Sequence, residues 1–110
     1  MRAPVNAGDL RHRVTLEKPV RSSDGAGGAT VEWQSVADVW AAIWPRAAGE
    51  HFASDRLTGT ATHDIWIRHR KDVTPDMRVR QGNRIFAILG AIDFEDRSRW
   101  LKCPSEERDL

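Results

Sequence analysis

Polar and apolar residues alternate through most of residues 60–103, as they do in strands that bury one face. Each interruption of this alternation falls at glycine, proline, asparagine or aspartate, which are the residues that favour turns. The pattern therefore predicts a meander of short antiparallel strands over residues 60–70, 77–80, 84–89 and 99–103.

The first part of the chain predicts two further strands. Apolar residues occupy one face of a run over residues 11–18, and Pro19 is expected to end it because proline cannot donate to a sheet ladder. Residues 22–29 are rich in glycine and serine and predict a flexible hairpin tip. The second strand then covers residues 30–44.

The late part of this second strand has two apolar faces. A helix over residues 35–42 would also be tolerated, but the enrichment in β-branched and aromatic residues favours a strand. One face can cover the core, and the other then needs cover from another part of this chain or from another subunit. The two faces are Val39, Ala41 and Ile43, and Trp40, Ala42 and Trp44.

A long connection separates these strands from the meander. Pro45 ends the second strand, and residues 46–59 lack strand alternation but leave room for a turn or two of helix. A connection of this length in so small a domain is usually functional or disordered. We therefore interpret it as the working loop.

These elements predict an all-β fold, a small antiparallel β-barrel or sandwich of about six strands with one long loop that could carry a short helix. The 110 residues suffice for one domain with a single modest core. The domain covers residues 1–110; residues 1–10 and 105–110 are expected to be flexible termini, the second because Pro104 should end the final strand.

Composition excludes several classes of protein. The net charge of +1 supplies no overall attraction to nucleic acid or to an anionic membrane. The sequence shows neither a signal peptide nor a run long enough to cross a bilayer, so synthesis in the cytosol and no contact with membrane are expected. The single cysteine, Cys103, excludes an internal disulfide.

The polar residues do not form a recognisable catalytic or metal motif. His63 and Asp64 are neighbours in a predicted strand and point to opposite faces, so His63 is expected to form hydrogen bonds inside the protein or at an interface. Cys103 is expected to be a small buried hydrophobe, and the acidic loop at Asp93, Glu95 and Asp96 a solvated turn. Neither a nucleophile elbow nor a phosphate loop is present. We predict no enzyme activity, no metal and no cofactor.

A cluster of arginines leaves a second function open. With Trp66 and Phe86 they could form a basic stacking surface for single-stranded nucleic acid, although a solvated outer sheet face is the better interpretation. The arginines lie on adjacent predicted strands: Arg68, Arg70, Arg78, Arg80 and Arg84. The alternative function is therefore that of a monomeric, small-barrel nucleic-acid-binding protein.

Four segments in a fixed order carry a likeness to a known family. They read AGDLRHRV at residues 7–14, VWAAIWP at 39–45, ATHDIWIR at 61–68 and NRIFAI at 83–88. With them, nearly the whole chain resembles the phage head-tail joining family, which comprises the head-closure or stopper proteins of tailed phages and gene transfer agents. A further alternative of the same class is another neck or tail component, such as a tail-completion protein.

The resemblance implies a β-barrel that assembles into a six- or twelve-fold homo-oligomeric ring in the head-tail neck of a virion or phage-like particle, built in the host bacterial cytoplasm. Portal and adaptor proteins would lie on the head side, and tail terminator or tail tube proteins on the tail side. Packaged double-stranded DNA would pass through the channel, be retained by the ring, and meet few fixed cationic contacts.

The resemblance also supplies candidate site residues. The long loop would project into the channel, with Glu50, His51, Phe52, Asp55 and Arg56 as gating residues. The residues expected at the subunit interface are Trp40, Trp44, Trp66 and His63.

Overall fold

A computed structural model describes residues 7–23, 25, 27–46 and 60–108. These residues form seven strands and two short 3₁₀ turns, Ala7–Asp9 and Phe94–Asp96. The strands are β1 (His12–Ser23), β2 (Ala29–Pro45), β3 (His63–Arg68), β4 (Arg78–Gln81), β5 (Arg84–Ile88), β6 (Ile92–Asp93) and β7 (Trp100–Arg108).

The sheet closes on itself. Six strands follow one another in the order β1, β2, β3, β7, β5 and β4, and β4 pairs again with β1. Every pairing is antiparallel, and β6 is an additional strand that pairs with β7 at Leu101 and Lys102, beyond the stretch of β7 that pairs with β5. The prediction of a small all-β barrel is confirmed. The sequence did not predict β6, because two residues are too few to show a periodicity.

Alternation along the strands builds the core inside the barrel. The inward residues of all six barrel strands meet there, and Leu16, Ile65 and Phe86 are completely buried. Cys103 lies in the same core, as predicted. Such a core supplies most of the favourable free energy of folding, because apolar burial is the dominant stabilising term.

A second apolar cluster lies on the outer face of the barrel. Trp66 is completely buried there between Trp44, at 6.0 Å between ring centroids, and Phe94, at 5.0 Å. Leu10, which follows the first 3₁₀ turn, packs against the same cluster. The second apolar face of β2 is therefore covered partly by this chain, whereas Trp40 on that face stays 52% exposed.

Two expectations about prolines are wrong. β1 continues through Pro19 and β7 continues through Pro104 to Arg108, so residues 105–108 are not a flexible tail. Pro104 is tolerated because its C=O accepts a hydrogen bond from Leu89 N on the side away from β3, and the proline nitrogen faces that side too. Pro19 lies where β1 pairs with β2 alone, so its nitrogen can face the free edge.

The β1–β2 hairpin extends beyond the barrel. β4 accompanies β1 only to Glu17, and β3 accompanies β2 only from Ala42 onward. Residues 18–23 and 29–34 therefore form a two-stranded projection, which we call the arm. A β-bulge marks its base, because Leu16 pairs with Ala37 and Glu17 with Ser35, which leaves one extra residue in β2.

A buried carboxylate fixes the base of the arm to β4. Glu17 is 5% exposed and accepts hydrogen bonds from Arg78 Nε at 2.7 Å and from Arg80 Nε at 3.2 Å. The Arg78 guanidinium also lies over the ring of Trp33, 4.1 Å from its centroid. Arg78 of β4 thus contacts both Glu17, at the bulge, and Trp33, an aromatic residue of the arm.

These contacts set the ionisation of Glu17. Burial alone would raise the pKa of Glu17, but the hydrogen bonds and positive charges of Arg78 and Arg80 outweigh it and hold the pKa below the ordinary value of 4.5. A carboxyl group with a lowered pKa stabilises the fold fully above its unfolded pKa, and this contribution is lost as the pH falls through the folded value.

We predict that Glu17→Gln lowers the free energy of unfolding at pH 7 by about 2 kcal/mol, since it leaves two guanidinium groups without their charged acceptor. The difference from the wild type should shrink as the pH falls below 4.5. Urea unfolding at a series of pH values measures both effects. Glu106→Gln is the control, because its pair with Arg108 is solvent-exposed and should contribute less than about 1 kcal/mol. Equal losses in the two variants would contradict the account.

Candidate functional site

The proposed gating residues Glu50, His51, Phe52, Asp55 and Arg56 lie outside the described residues. The structure does describe the two strand ends that flank them. Arg46 N donates a hydrogen bond to Thr62 O at 2.9 Å, directly after the Pro45–His63 pair. Both ends of the long connection therefore leave the barrel at one point, beside His63.

A polar cluster occupies this end of the barrel. The Thr62 hydroxyl accepts a hydrogen bond from Glu107 N at 2.8 Å and lies 2.8 Å from His63 Nδ1. The Glu107 carboxylate accepts two hydrogen bonds from Arg84, at 2.7 and 3.1 Å. We call Thr62, His63, Arg84 and Glu107 the end cluster.

The end cluster rests on the barrel core through Phe86. The His63 ring meets the completely buried Phe86 ring edge to face, with 5.2 Å between centroids. The Arg84 guanidinium lies 4.8 Å from the centroid of the same ring. Phe86 thus supports a histidine and a charged pair that close one end of the core.

The surroundings of His63 oppose its protonation. Burial lowers the pKa of His63, the charge of Glu107 raises it, the charge of Arg84 lowers it and that of Asp64 raises it, and the sum lies below the ordinary 6.5. The hydrogen bond from Arg84 chiefly lowers the pKa of Glu107, so Glu107 stays ionised. The cluster can therefore hold a neutral imidazole next to a paired carboxylate.

The four candidate interface residues have different environments. Trp66 is completely buried in the outer cluster, so it offers no surface to another subunit. Trp44 is half-buried against Trp66, and His63 belongs to the end cluster. Trp40 alone of the four is exposed, with the Arg13 guanidinium 5.5 Å from its ring centroid. Its place at a subunit interface stays a prediction.

The sequence did not identify the apolar residues of the arm as a surface. Val20, Val31 and Trp33 are exposed there, at 37%, 46% and 37%. The signal that could have found them is a strand with tryptophan and valine at alternate positions next to a flexible tip, where no further strand can cover them.

A network of charges lies beneath the outer cluster. Asp64 pairs with Arg46 Nε at 3.0 Å and lies 4.0 Å from Lys102 Nζ. Lys102 is 4% exposed, and its ammonium group is 5.9 Å from the centroid of Trp66. These charges tie the end of β2 to β3 and β7, at the strand ends from which the long connection leaves.

The arginines that suggested a nucleic-acid surface are mostly neutralised within the chain. Arg78 and Arg80 bind Glu17, and Arg84 binds Glu107, as described above. Arg70 pairs with Asp72 at 2.9 Å, and Arg68 stacks on Trp100. Phe86 and Trp66 are completely buried and cannot stack on bases. Four of these five arginines therefore have a carboxylate partner within the chain.

The described residues give little support for a metal site or for a reactive cysteine. No group of three or more histidine, cysteine, aspartate or glutamate side chains is placed there to hold a metal ion. Burial, reinforced by the charge of Asp64, raises the pKa of the Cys103 thiol to about 12. Asp93 instead accepts a hydrogen bond from Ser98 N at 2.9 Å, which orders the acidic turn. None of the helical turns in this part of the chain is long or apolar enough to span a bilayer.

We predict that the pKa of His63, followed by NMR titration of its ring protons, lies below 6.5. Glu107→Gln should lower it further, because a nearby negative charge is removed, and Arg84→Gln should raise it, because a positive charge is removed. Glu106→Gln serves as the control, because consecutive strand residues point to opposite faces and Glu106 therefore points away from the face of Glu107. Shifts of the same sign in the Glu107 and Arg84 variants would contradict the described cluster.

Comparison with known proteins adds to this geometry. A protein of Shigella flexneri 2a, solved in solution, is 25% identical; the match covers 94% of this chain and 96% of that chain with a TM-score of 0.75. A chain from the virion of a native gene transfer agent particle is 28% identical, with 92% and 97% of the two chains covered and a TM-score of 0.62. A search of curated proteins finds no match.

The sequence also matches a family model. The model describes the phage head completion protein, and the match runs from residue 5 to residue 108. This span includes the six barrel strands with the arm, the additional strand β6 and the end cluster. The chain belongs to the phage head completion protein family.

Proposed function

We propose that this protein is a structural component of the head-tail neck in a tailed phage or a gene transfer agent, where it closes the filled head. In this proposal it forms a ring below the portal and adaptor, retains the packaged DNA and provides the surface on which the tail docks. The protein acts by assembly, without catalysis. The loop over residues 46–59 would close the channel.

The observation that carries the proposal is the family membership over residues 5–108. The likeness to a chain of a gene transfer agent virion supports the same kind of particle, because it covers 92% of this chain. A family of head completion proteins supports a role in finishing the head, and the resemblance of the four segments described above supports a position in a neck ring.

The geometry is compatible with a part built for assembly. The closed barrel gives a rigid body, and the arm extends from it with exposed apolar residues that include Trp33 and Val31. Exposed apolar side chains on a projecting element are typical of surfaces that contact other proteins. Several arginines are paired with carboxylates, as Arg84 is with Glu107, and a paired arginine binds DNA phosphates less readily.

We predict that deleting the gene leaves heads that package DNA but do not retain it or do not join tails. Electron microscopy should then show empty or leaking heads next to free tails, and nuclease-protected DNA per head should fall. Supplying the wild-type gene from a plasmid should restore joined, filled particles. Normal numbers of joined, filled particles without the protein would rule out the proposed function.

A further inference from the structure

The outer edge of β2 is a long stretch of strand without a neighbour. Residues 29–41 pair with β1 on one side, and β3 begins to pair on the other side only at Ala42. Within the described ranges no other strand pairs with this edge. Its backbone N–H and C=O groups can therefore accept an added strand.

The two edges of the arm differ in how they are protected. The β1 edge carries Lys18, Pro19 and Arg21, the kinds of residue that prevent strands from adding to an edge. The β2 edge between residues 29 and 41 has no lysine, arginine, proline or glycine. One edge of the arm is thus guarded by its sequence, and the other edge is open.

An apolar row accompanies the open edge. Val31, Trp33 and Trp40 are all exposed. Trp33 and Trp40 are seven residues apart and would normally lie on opposite faces, but the extra residue of the bulge brings them to one face, as their partners Pro19 and Arg13 on β1 show. This face continues outward from the covered barrel surface.

The tryptophan at the centre of the row is held in place. The guanidinium of Arg78 lies 4.1 Å from the Trp33 ring centroid, and Glu17 fixes Arg78 in turn. Pro19, directly opposite Trp33, has no N–H to offer β2, so this pair is not hydrogen-bonded and Trp33 presents its own N–H and C=O to the open edge. Val31, two residues before Trp33 in the same strand, likewise presents its N–H and C=O to the open edge.

Charge favours a partner other than a second copy at this edge. Residues 29–41 contain Glu32 and Asp38 as their only charged side chains. Asp38 accepts a hydrogen bond from Thr15, and Glu32 has no ion-pair partner in the described part of the chain. Two copies joined through this edge would bring acidic residues together, whereas a basic segment would neutralise them.

We propose that the open edge of β2 binds, as an added β-strand, an extended basic segment of a different protein of the particle. Alternate apolar side chains of that segment pack on Val31, Trp33 and Trp40, and a lysine or arginine meets Glu32. The proposal rests on the proposed function, which places the chain among other particle proteins. It assigns the arm to docking and leaves the barrel as the body that carries it.

The test uses a photo-crosslinking residue, p-benzoylphenylalanine, placed at Ser35 in particles assembled in cells. Ser35 is exposed and lies on the same face as Trp33, so the tryptophans stay intact. Exposed Lys71, in the turn before β4, is the control position. After irradiation of purified particles, mass spectrometry should find a basic segment of another protein linked to position 35 and not to position 71.

A pair of variants then tests strand addition itself. Val31→Pro removes one N–H from the open edge and keeps the pairing with β1, whereas Val31→Thr keeps the N–H and a β-branched side chain. With p-benzoylphenylalanine at position 35, the proline variant should reduce the crosslink yield by about tenfold, which corresponds to the loss of one hydrogen bond. The threonine variant should retain most of the crosslink yield. An equal crosslink in both variants would overturn strand addition.

The other outcomes separate the two proposals. A crosslink between two copies of this chain, or no crosslink in particles that contain the protein, would overturn docking of a different protein at this edge. Particles that assemble normally without incorporating the protein would overturn the proposed function, and the inference with it.

Discussion

The pairing of β3 with β7 is the constraint on which the rest of the structure depends. It joins the two ends of a six-strand sheet, from His63–Ser105 to Arg68–Trp100, and so closes the barrel. Closure removes the sheet edges that an open sheet of this size would expose. It also brings Thr62 to Glu107, which builds the end cluster, and Trp66 to Lys102, which joins the outer cluster to the charges beneath it.

Closure leaves the arm as the main departure from a self-contained fold. The barrel uses its strand edges internally, while β2 carries an unpaired edge away from the body. An arm of two strands is only marginally stable alone, so its base needs an anchor. Glu17 supplies one by binding Arg78 and Arg80 of β4, and Arg78 transmits this hold to Trp33. These contacts join the barrel to the base of the arm.

The sequence predicted the parts of this fold that local pattern determines. Alternation located β1 to β5 and the start of β7. The two prolines were misjudged because their tolerance depends on which side of the strand has a partner, and only the topology decides that. Trp66 was expected at a subunit interface, but Leu10 and Phe94 come from distant parts of the chain to cover it.

The exposed apolar row of the arm was harder to predict for a related reason. The bulge near Val36 brings Trp33 and Trp40 to the same face of β2. In the sequence this one-residue shift of register shows only as a break in the alternation, which does not reveal a bulge. The partners of the arginines were equally hidden, since Glu17 and Arg78 are 61 residues apart. Family likeness gave the function class where the local pattern gave only the fold.

The most direct test of the central claim, that this protein closes the filled head as part of the neck, is a cryo-electron microscopy reconstruction of the intact particle. The account predicts a ring of barrels with this fold between the portal-bearing head and the tail, with the arms extending from the barrels against neighbouring proteins. Density for the barrel in the capsid shell or along the tail, or a neck built without it, would contradict the account.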